Sequence, residues 1–374
     1  MSLRSHPYPA TMPGTTIPPV PHYEPAPATR EDLDWVDLPI IDISKAVTLG
    51  GRQELAPMVR DAMRIHGFMY VVNHGLTEAE NERMTDIADV PFAQVSEEEK
   101  TMFDGKIKEE GSWMGYKLRH FWTIDNGVRD QIEHYNMHRH VFHQQHPEAL
   151  QPFLPELWAF SGYNFYNILQ PILRLLALGL ELPEATFVNL FNFDAQGDTY
   201  LCFMKYYPMT EDDEVKTKNV WMKGHTDIDA ISMLWSQPVT ALQILSPDGK
   251  WRYVKHIPNA IIVNAGDTME MLSGGYYKAA VHRVFQPPAD QRGCTRLGLY
   301  YFGYPDDDVR LVPFKESPVL QRVGIARRCA DEGAPTTREW RTARTKVYGV
   351  SELQRKDDVV EEQVVNGLVV RHYN

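Results

Sequence analysis

The sequence predicts an α+β protein in which helices support an antiparallel β core. Apolar residues recur at helical spacing in much of the chain before residue 190. From about residue 198 to 314, short apolar segments alternate with Gly, Pro, Asp and Asn turns, and a charged helical pattern follows. Many short strands at regular spacing suggest a sandwich or a barrel. Helices, then strands, then a helical tail favour one domain.

An extended arm is predicted ahead of this domain. Residues 1–35 are rich in proline, which disfavours regular packed structure. We expect this segment to have little packing of its own, although it is free to lie along the body of the protein. The ordered domain is predicted to begin at a short apolar strand, residues 38–42.

A helix is predicted next. Leu55, Val59, Ala62 and Met63 recur at helical spacing and mark one buried face. Gly67 is well placed to end this helix, because glycine tolerates the left-handed conformation that follows a helix C-terminus.

A strand and two further helix starts follow. Residues 68–72 are an apolar, β-prone run. Thr77 with Glu80 has the spacing of a capping box, and Ser96 with Glu99 repeats it. Each pair therefore predicts a helix N-terminus.

One long helix is predicted over residues 155–182, with Pro171 expected to kink it. The strands of the β core are predicted near residues 200–207, 228–235, 242–245, 261–264 and 297–302. A charged helix is predicted over 337–357. These patterns divide one compact domain into an arm (1–35), a helix-rich region (36–190), a β core (191–315) and a C-terminal helical tail (316–374).

Composition excludes several classes of function. The net charge of −12 makes bulk electrostatic binding to nucleic acid or an anionic membrane unfavourable. No apolar run approaches membrane-spanning length, and the N-terminus lacks the apolar core of a signal peptide. The three cysteines are far apart and form no CxxC pattern, which is typical of a reducing compartment. We therefore expect a cytoplasmic enzyme.

Three residues form a candidate metal site. His225 and Asp227 lie two apart, so in a strand they point to the same face. His282 follows 55 residues after Asp227 in the apolar segment Ala-Val-His-Arg-Val. Alone, the His-x-Asp pair occurs often by chance and is more simply a solvated strand end, and a lone histidine such as His282 is more often a hydrogen-bonded core residue. Together the three make a two-His-one-carboxylate triad, whose open coordination positions suit Fe(II) and oxygen chemistry.

Arg296 is a candidate for binding an anion. It begins the apolar, aromatic segment Arg-Leu-Gly-Leu-Tyr-Tyr-Phe, and a buried arginine there is costly without an anionic partner. Its planar fork suits a carboxylate. An internal salt bridge or a position at the protein surface is the alternative.

An ordered set of motifs resembles the isopenicillin N synthase-like group of iron(II)/2-oxoglutarate oxygenases, over roughly residues 37–315. In chain order, the motifs include Pro39-Ile40-Ile41-Asp42, His66-Gly67-Phe68, Asn73-His74-Gly75, Gly115-Tyr116, Lys205-Tyr206-Tyr207-Pro208, Gly224-His225-Thr226-Asp227, Asn264-Ala265-Gly266-Asp267 and Ala280-Val281-His282-Arg283-Val284. Each motif is weak alone, but the ordered set is highly specific.

The resemblance implies a double-stranded β-helix, or jelly-roll, over 191–315, buttressed by N-terminal and C-terminal helices. It implies Fe(II) at His225, Asp227 and His282, with 2-oxoglutarate and O2 as cosubstrates. Arg296 matches the arginine of the family's Arg-x-Ser pair, which binds the distal carboxylate of 2-oxoglutarate. Tyr207 matches a family tyrosine that helps to hold the same carboxylate.

Two positions depart from the family pattern. Gly298 stands where the family has serine, so one hydroxyl donor is missing, and Lys205 stands where it has asparagine. In a strand Lys205 shares a face with Tyr207, so it is a candidate replacement donor for the cosubstrate or a group for an acidic substrate. A strand residue that reaches solvent is the alternative. The departures keep open an iron and O2 oxidase that does not use 2-oxoglutarate.

The substrate is expected to be a small, largely apolar organic molecule. Strand alternation from Arg296 places Tyr300 and Phe302 on the pocket face. The further candidates for the substrate wall are Phe203, Tyr116 and His134. The implied reaction is oxidation of an unactivated C–H bond by hydroxylation, desaturation or ring rearrangement, in the biosynthesis of a specialised metabolite. A non-catalytic jelly-roll binding protein is the alternative from another class.

Overall fold

Two β-sheets organise the protein in the computed structural model, which describes residues 17–347, 354–356, 359–363 and 369–373. The strands are β1 Ile40–Asp42, β2 Phe68–Val72, β3 Gly115–Lys117, β4 Ile132–His138, β5 Tyr200–Tyr206, β6 Val220–His225, β7 Ile231–Trp235, β8 Leu242–Leu245, β9 Trp251–Tyr253, β10 Ile261–Ala265, β11 His282–Phe285, β12 Arg296–Gly303, β13 Gln354–Lys356, β14 Val359–Gln363 and β15 Val369–Tyr373. One sheet has the order β1-β2-β10-β7-β12-β5-β4-β3, and the other has the order β13-β14-β15-β6-β11-β8-β9.

The eight strands from β5 to β12 form the jelly roll. β5, β7, β10 and β12 lie together in the first sheet, while β6, β8, β9 and β11 lie together in the second. The chain therefore crosses repeatedly between the two sheets, which is how a jelly roll is wound. The predicted α+β jelly-roll fold is confirmed.

Helices cover the first sheet on its outer side. The α-helices are α1 Leu49–Ile65, α2 Glu78–Ala93, α3 Glu97–Met102, α4 Ile107–Glu110, α5 Leu154–Tyr163, α6 Gln170–Gly179, α7 Ala185–Val188, α8 Glu211–Thr217, α9 Asp267–Leu272, α10 Pro318–Val323 and α11 Thr337–Val347. α2 packs on β5 and β12, and α1 packs on α6. None of the described helices is long and apolar enough to cross a membrane.

The local signals for helices are confirmed. The predicted face of α1 is buried, and Gly67 lies just beyond its end at φ +67°. Thr77 and Glu80 form the expected reciprocal capping box at the start of α2. Ser96 accepts a hydrogen bond from the backbone of Glu99 at the start of α3.

The long helix predicted over 155–182 is helical from Leu154 to Gly179, but it is not regular. One π-helical turn, Asn164–Leu169, separates α5 from α6. Pro171 is the second residue of α6, two positions after this turn ends. Because proline has no N–H to donate to the preceding turn, the backbone departs from α-helical bonding there.

The proline-rich arm lies along the body of the protein in its described part, residues 17–35. Several of its backbone groups form hydrogen bonds with the domain. The Tyr23 amide donates to Asp86 at 2.8 Å, and the Arg30 amide donates to Asp290 at 2.8 Å. Gln291 donates to the carbonyl of Pro27 at 2.7 Å. The described part of the arm is therefore fixed to the domain at several points, and the arm over 1–35 as a whole stays a prediction.

The helix predicted over 337–357 is present over Thr337–Val347 and wrong at Gln354–Lys356, which form a strand. Residues 348–353 of that prediction lie outside the described residues, and the described part of the remaining tail forms the strands β13, β14 and β15. β15 pairs with β6, with Tyr373 opposite Gly224. The Val-Val pairs at 359–360 and 369–370 are the β-prone signal that the charged helical pattern obscured. The proposed boundaries at 36, 191 and 316 stay predictions.

Candidate metal centre

The three predicted metal ligands converge at one end of the jelly roll. His225 ends β6 and His282 begins β11, and the two residues face each other across the antiparallel pair. Asp227 follows two residues after His225. Its Oδ1 lies 3.8 Å from His225 Nε2 and 3.7 Å from His282 Nε2. Among the described residues, these three are the only His, Cys, Asp or Glu group whose ligand atoms all lie within 4.8 Å of one another.

Backbone carbonyls orient both imidazoles. His225 Nδ1 lies 2.7 Å from the carbonyl oxygen of Lys223, and His282 Nδ1 lies 3.1 Å from that of Ala280. A carbonyl only accepts, so each Nδ1 carries the proton and each Nε2 keeps its lone pair. Both lone pairs therefore point toward Asp227, ready to bind a metal.

Two polar side chains hold the far oxygen of Asp227. Ser232 donates to Oδ2 at 2.5 Å, and Asn264 donates to the same atom at 2.8 Å. Burial raises the pKa of Asp227, but the two neighbouring histidines and these hydrogen bonds outweigh it and lower the pKa below its ordinary value. Asp227 is therefore a fixed carboxylate whose Oδ1 faces the imidazoles.

Asp229 is buried behind this carboxylate and is not part of the ligand group. Ser232 lies 3.0 and 3.2 Å from its two oxygens. Burial, and next the charge of Asp227, raise the pKa of Asp229 well above its ordinary value. Asp229 therefore lies behind Asp227, where it shares the Ser232 hydroxyl, and not at the surface.

The donor set suits Fe(II). Two imidazole nitrogens and one carboxylate oxygen on one side of an ion leave the other positions open, as in non-haem iron oxygenases. A structural zinc site would need a fourth protein ligand, and the described residues offer none at this point.

The triad opens into a pocket between the two sheets, with about 880 Å³ of empty space including its solvent-filled mouth. Aromatic and aliphatic side chains from both sheets and from the segment before β4 form most of the wall. Besides the triad, the lining residues are Phe68, Trp113, Trp122, His134, Tyr200, Met204, Tyr206, Met222, Thr226, Ile228, Ser232, Leu234, Leu242, Ile262, Asn264, Val284, Arg296, Tyr300, Phe302 and Tyr304.

Arg296 lies in the wall of this pocket and is almost fully buried, at 2% exposure. Its Nη1 donates to the Tyr300 hydroxyl at 3.0 Å, and its guanidinium lies 5.2 Å from the centre of the Tyr206 ring. Its Nε has no hydrogen-bond partner within the described chain. No described carboxylate lies within ion-pair distance of it. A buried guanidinium in this state is prepared to receive an anion.

Two predicted cosubstrate residues, Tyr207 and Lys205, lie outside the lining of the pocket, and their role in binding the cosubstrate stays a prediction. The Tyr207 hydroxyl donates to Glu133 at 3.1 Å, and Lys205 donates to Asp89 at 2.6 Å. The two do share one face of the chain, as predicted, but it is the outer face. Alternation along β5 instead places Tyr206 in the pocket, in register with Arg296.

The predicted substrate residues divide in the same way. Tyr300, Phe302 and His134 line the pocket, and their role in binding stays a prediction. Phe203 is buried on the outer face of β5, away from the pocket. Tyr116 donates to the carbonyl of Pro91 at 3.0 Å and is also absent from the pocket. Both of these side chains pack the sheet against its helices.

Several functional residues were missed by sequence reasoning. Asn264 belongs to a motif noted above, but nothing in the motif indicates that it bonds Asp227. Ser232 follows Asp227 by five residues, across a turn whose shape the sequence does not give. Trp113 and Trp122 lie outside regular elements, so no periodicity assigns them a face.

Comparison with known proteins agrees with this geometry. The sequence profile of the 2OG-Fe(II) oxygenase superfamily matches residues 199–303, which include β5 to β12. A second profile, described as the N-terminal region of non-haem dioxygenases in morphine synthesis, matches residues 38–159. The two matches follow one another along the chain.

Curated relatives carry oxygenase names. The chain is 29% identical over 291 residues to a flavonol synthase/flavanone 3-hydroxylase of Eustoma exaltatum, covering 74% of this chain and 79% of the relative. It is 28% identical over 295 residues to gibberellin 20 oxidase 5 of Arabidopsis thaliana, covering 74% and 71%. It is 31% identical over 212 residues to the 2-oxoglutarate-dependent dioxygenase FG08081 of Gibberella zeae, covering 56% and 57%.

Solved structures share the fold. A full-length Neurospora crassa protein in complex with α-ketoglutarate superimposes with a TM-score of 0.70 at 20% identity, covering 86% of this chain and 99% of that one. JOX2 in complex with 2-oxoglutarate, Fe and JA superimposes with a TM-score of 0.59 at 24% identity, covering 77% and 81%.

Proposed function

We propose that this chain, which belongs to the 2-oxoglutarate and iron(II)-dependent oxygenase superfamily, oxidises an unactivated C–H bond of a small, largely apolar organic molecule. One observation carries the proposal: the triad and Arg296 line the same pocket, and the Arg296 guanidinium has no carboxylate partner among the described residues. Bound iron and 2-oxoglutarate together supply the activation of O2 that C–H oxidation requires.

Separate residues of the pocket bind the metal and the cosubstrate. His225, Asp227 and His282 hold the metal, and Arg296 binds the distal carboxylate of 2-oxoglutarate through charge-assisted hydrogen bonds. Tyr206 lies beneath the guanidinium and fixes its plane. The Nε of Arg296 has no hydrogen-bond acceptor among the described residues, and a bound anion would supply one. This favours a dicarboxylic cosubstrate over an uncharged one.

The wall of the pocket favours a largely apolar substrate with a polar group. Phe302, Tyr200 and Trp122 offer flat aromatic surface. His134 Nε2 is buried and has no hydrogen-bond partner in the described part of the chain. Burial, and next the charge of Lys117, lower the pKa of His134 well below its ordinary value, so this ring is neutral. A neutral imidazole in an apolar wall suits one hydroxyl or carbonyl of the substrate.

The names of the relatives support the same class of substrate. Flavonols and gibberellins are small organic molecules of specialised metabolism. We therefore propose a role in the biosynthesis of a specialised metabolite, by hydroxylation, desaturation or ring rearrangement. A cytoplasmic location is proposed as well, because all three cysteines are free thiols.

The alternatives have less support. The oxidase that does not use 2-oxoglutarate was kept open by Gly298 and Lys205, but Arg296 still lacks an acidic partner among the described residues. A non-catalytic binding protein would have no need for a complete triad with two oriented imidazoles and a doubly hydrogen-bonded carboxylate.

Anaerobic titration tests the proposal. Metal-free protein receives Fe(II) and then 2-oxoglutarate, while the weak visible charge-transfer band of the bound chelate is followed. We expect the band in the wild type and its loss in Arg296→Met. Arg252→Met, at a surface arginine paired with Asp248 at 2.7 Å, is the control and should keep the band. Binding of iron without any band in the wild type would refute 2-oxoglutarate dependence.

A further inference from the structure

The space above Gly298 is already filled by a tyrosine ring. A Cβ atom added to Gly298 would lie 2.5 Å from Cε2 of Tyr300 and 2.9 Å from both its Cζ and its hydroxyl oxygen. Carbon atoms do not approach this closely, so any side chain at 298 would displace the ring. Gly298 therefore makes room for Tyr300, and the loss of the family's serine is coupled to the presence of this tyrosine.

The Tyr300 hydroxyl occupies the neighbourhood that a serine at 298 would reach. It accepts a hydrogen bond from Nη1 of Arg296 at 3.0 Å. Residues 296, 298 and 300 lie on the same face of β12, because every second residue of a strand points the same way. Arg296 and Tyr300 both line the pocket. The hydroxyl thus lies directly beside the buried guanidinium that is prepared for an anion.

The ring is held in this position by its neighbours. It stacks on Phe302 with a centroid distance of 5.7 Å and an interplanar angle of 5°. Phe302 in turn stacks on Tyr200 at 4.8 Å. A stacked ring over a glycine has little freedom to turn, so its hydroxyl is presented in a fixed place.

We infer that Tyr300 supplies the hydroxyl donor that Gly298 lacks, and that it binds the distal carboxylate of 2-oxoglutarate together with Arg296. This inference rests on the proposed function. The hydroxyl accepts from Arg296 with one lone pair and keeps its own proton for the carboxylate. Tyr300 is then a cosubstrate residue and not only part of the substrate wall.

Lys205 does not compete for this role. Its ammonium donates to Asp89 at 2.6 Å on the outer side of the sheet. The backbone of β5 separates it from the pocket. The replacement donor therefore comes from the strand that carries Arg296 itself.

A competing role for the Tyr300 hydroxyl is also testable. If Tyr300 only accepted a hydrogen bond from Arg296 while no ligand is bound, it would compete with 2-oxoglutarate for the guanidinium. Removal of its hydroxyl would then tighten the binding of 2-oxoglutarate. The two roles predict opposite signs for one measurement, which is the affinity of Tyr300→Phe for 2-oxoglutarate.

The experiment is calorimetric titration of Mn(II)-loaded protein with 2-oxoglutarate. We expect the dissociation constant of Tyr300→Phe to rise roughly 10- to 100-fold, as for a lost hydrogen bond to a charged group. A 2-oxo acid without the distal carboxylate, 2-oxobutanoate, should bind both proteins equally. Tyr301→Phe is the matched control, because it removes the same hydroxyl from the next residue, which is buried outside the pocket, and it should bind like the wild type.

A rescue pair tests the coupling. Gly298→Ser alone should weaken binding, because its side chain collides with the ring. Gly298→Ser combined with Tyr300→Ala restores an arginine-x-serine arrangement with room for it. We expect the double variant to bind 2-oxoglutarate more tightly than Tyr300→Ala alone. Thermal melting of each variant verifies that it is folded.

The outcomes separate the inference from the proposed function. Absence of 2-oxoglutarate binding in the wild type refutes the proposed function. Normal binding in the wild type with unchanged or tighter binding in Tyr300→Phe overturns only the role of Tyr300.

Discussion

Replacement of Arg296 by methionine should separate stability from cosubstrate binding. In most proteins, loss of a buried arginine exposes its partners and destabilises the fold. Arg296 has no acidic partner among the described residues, and its contacts are one tyrosine hydroxyl and one aromatic face. Its charge is therefore a cost to the ligand-free fold that only a bound anion offsets.

The expected change in the melting temperature of Arg296→Met follows from two opposing contributions to the free energy of unfolding. Exchange of a buried ionic group for an apolar one of similar volume stabilises by roughly 1–4 kcal/mol. Loss of the hydrogen bond to Tyr300 costs about 1 kcal/mol. With about 2.1 cal/mol/K of unfolding entropy per residue, a chain of 374 residues shifts its Tm by roughly 1 °C per kcal/mol. We expect the ligand-free variant to melt at the same temperature or up to about 4 °C higher.

Added 2-oxoglutarate should stabilise the wild type but not the variant. At 2-oxoglutarate concentrations 100 times its dissociation constant, binding stabilises the wild type by about 2.7 kcal/mol, which raises its Tm by roughly 3 °C. Arg296→Met should show no such shift. The assay is differential scanning calorimetry of Mn(II)-loaded protein with and without 2-oxoglutarate.

A second buried arginine offers the matched control. Arg139 donates to the carbonyls of Phe193 and Gly197 at 2.7 Å each and also to that of Ala195. Arg139→Met removes these three hydrogen bonds, of which only the Gly197 carbonyl keeps another partner among the described residues, His138, and should lower the free energy of unfolding by about 2–4 kcal/mol. If Arg296→Met lost as much stability as Arg139→Met, the idea that Arg296 awaits an anion would be refuted.

Three further predictions concern neighbouring groups. Asn264→Ala should weaken metal binding about 10- to 100-fold by releasing Asp227; an unchanged affinity in chelator competition would contradict it. With any substrate found by succinate release, His134→Phe should raise KM roughly 10-fold and leave the dissociation constant of 2-oxoglutarate unchanged; an equal loss of both would place His134 elsewhere. Burial lowers the pKa of Lys117 from 10.5 to about 8. Between these values the unfolded chain binds the extra proton, so stability should rise with pH, by up to roughly 3 kcal/mol. In denaturant unfolding at several pH values, the free energy of unfolding of Lys117→Met should rise less with pH than that of the wild type. An equal rise would exclude Lys117 as its source.

Much of the fold could be predicted because local signals and the fold agree. Capping boxes, an amphipathic face and short apolar strands each reflect interactions within a few residues, and they predicted the positions of α1, α2 and the strands β5, β7, β8, β10 and β12. The C-terminal strands β13, β14 and β15 pair mainly with one another. What joins them to the jelly roll is the pair between β15 and β6, more than 140 residues earlier. A charged local pattern carries no information on that long-range pairing.

The metal ligands were predictable for a related reason. His225 and Asp227 share one strand face by spacing alone, and the ordered motifs supplied His282. The tyrosine predicted to bind the cosubstrate is Tyr207, whereas the tyrosine that lines the pocket is Tyr206, one position earlier. A one-residue shift moves a side chain to the other face of the sheet. The pairing of Tyr206 with Arg296 is what decides the face, and that register belongs to the three-dimensional structure.

The departure at Gly298 shows where a motif comparison stops being informative. Considered as a single position, the glycine removes a hydroxyl and weakens the case for 2-oxoglutarate. Considered with its neighbour two residues along the strand, it is the condition that lets Tyr300 lie flat beside Arg296. Function at this site depends on where a donor atom lies and not on which residue carries it. A missing motif residue is therefore evidence against a function only after the space it would fill has been examined.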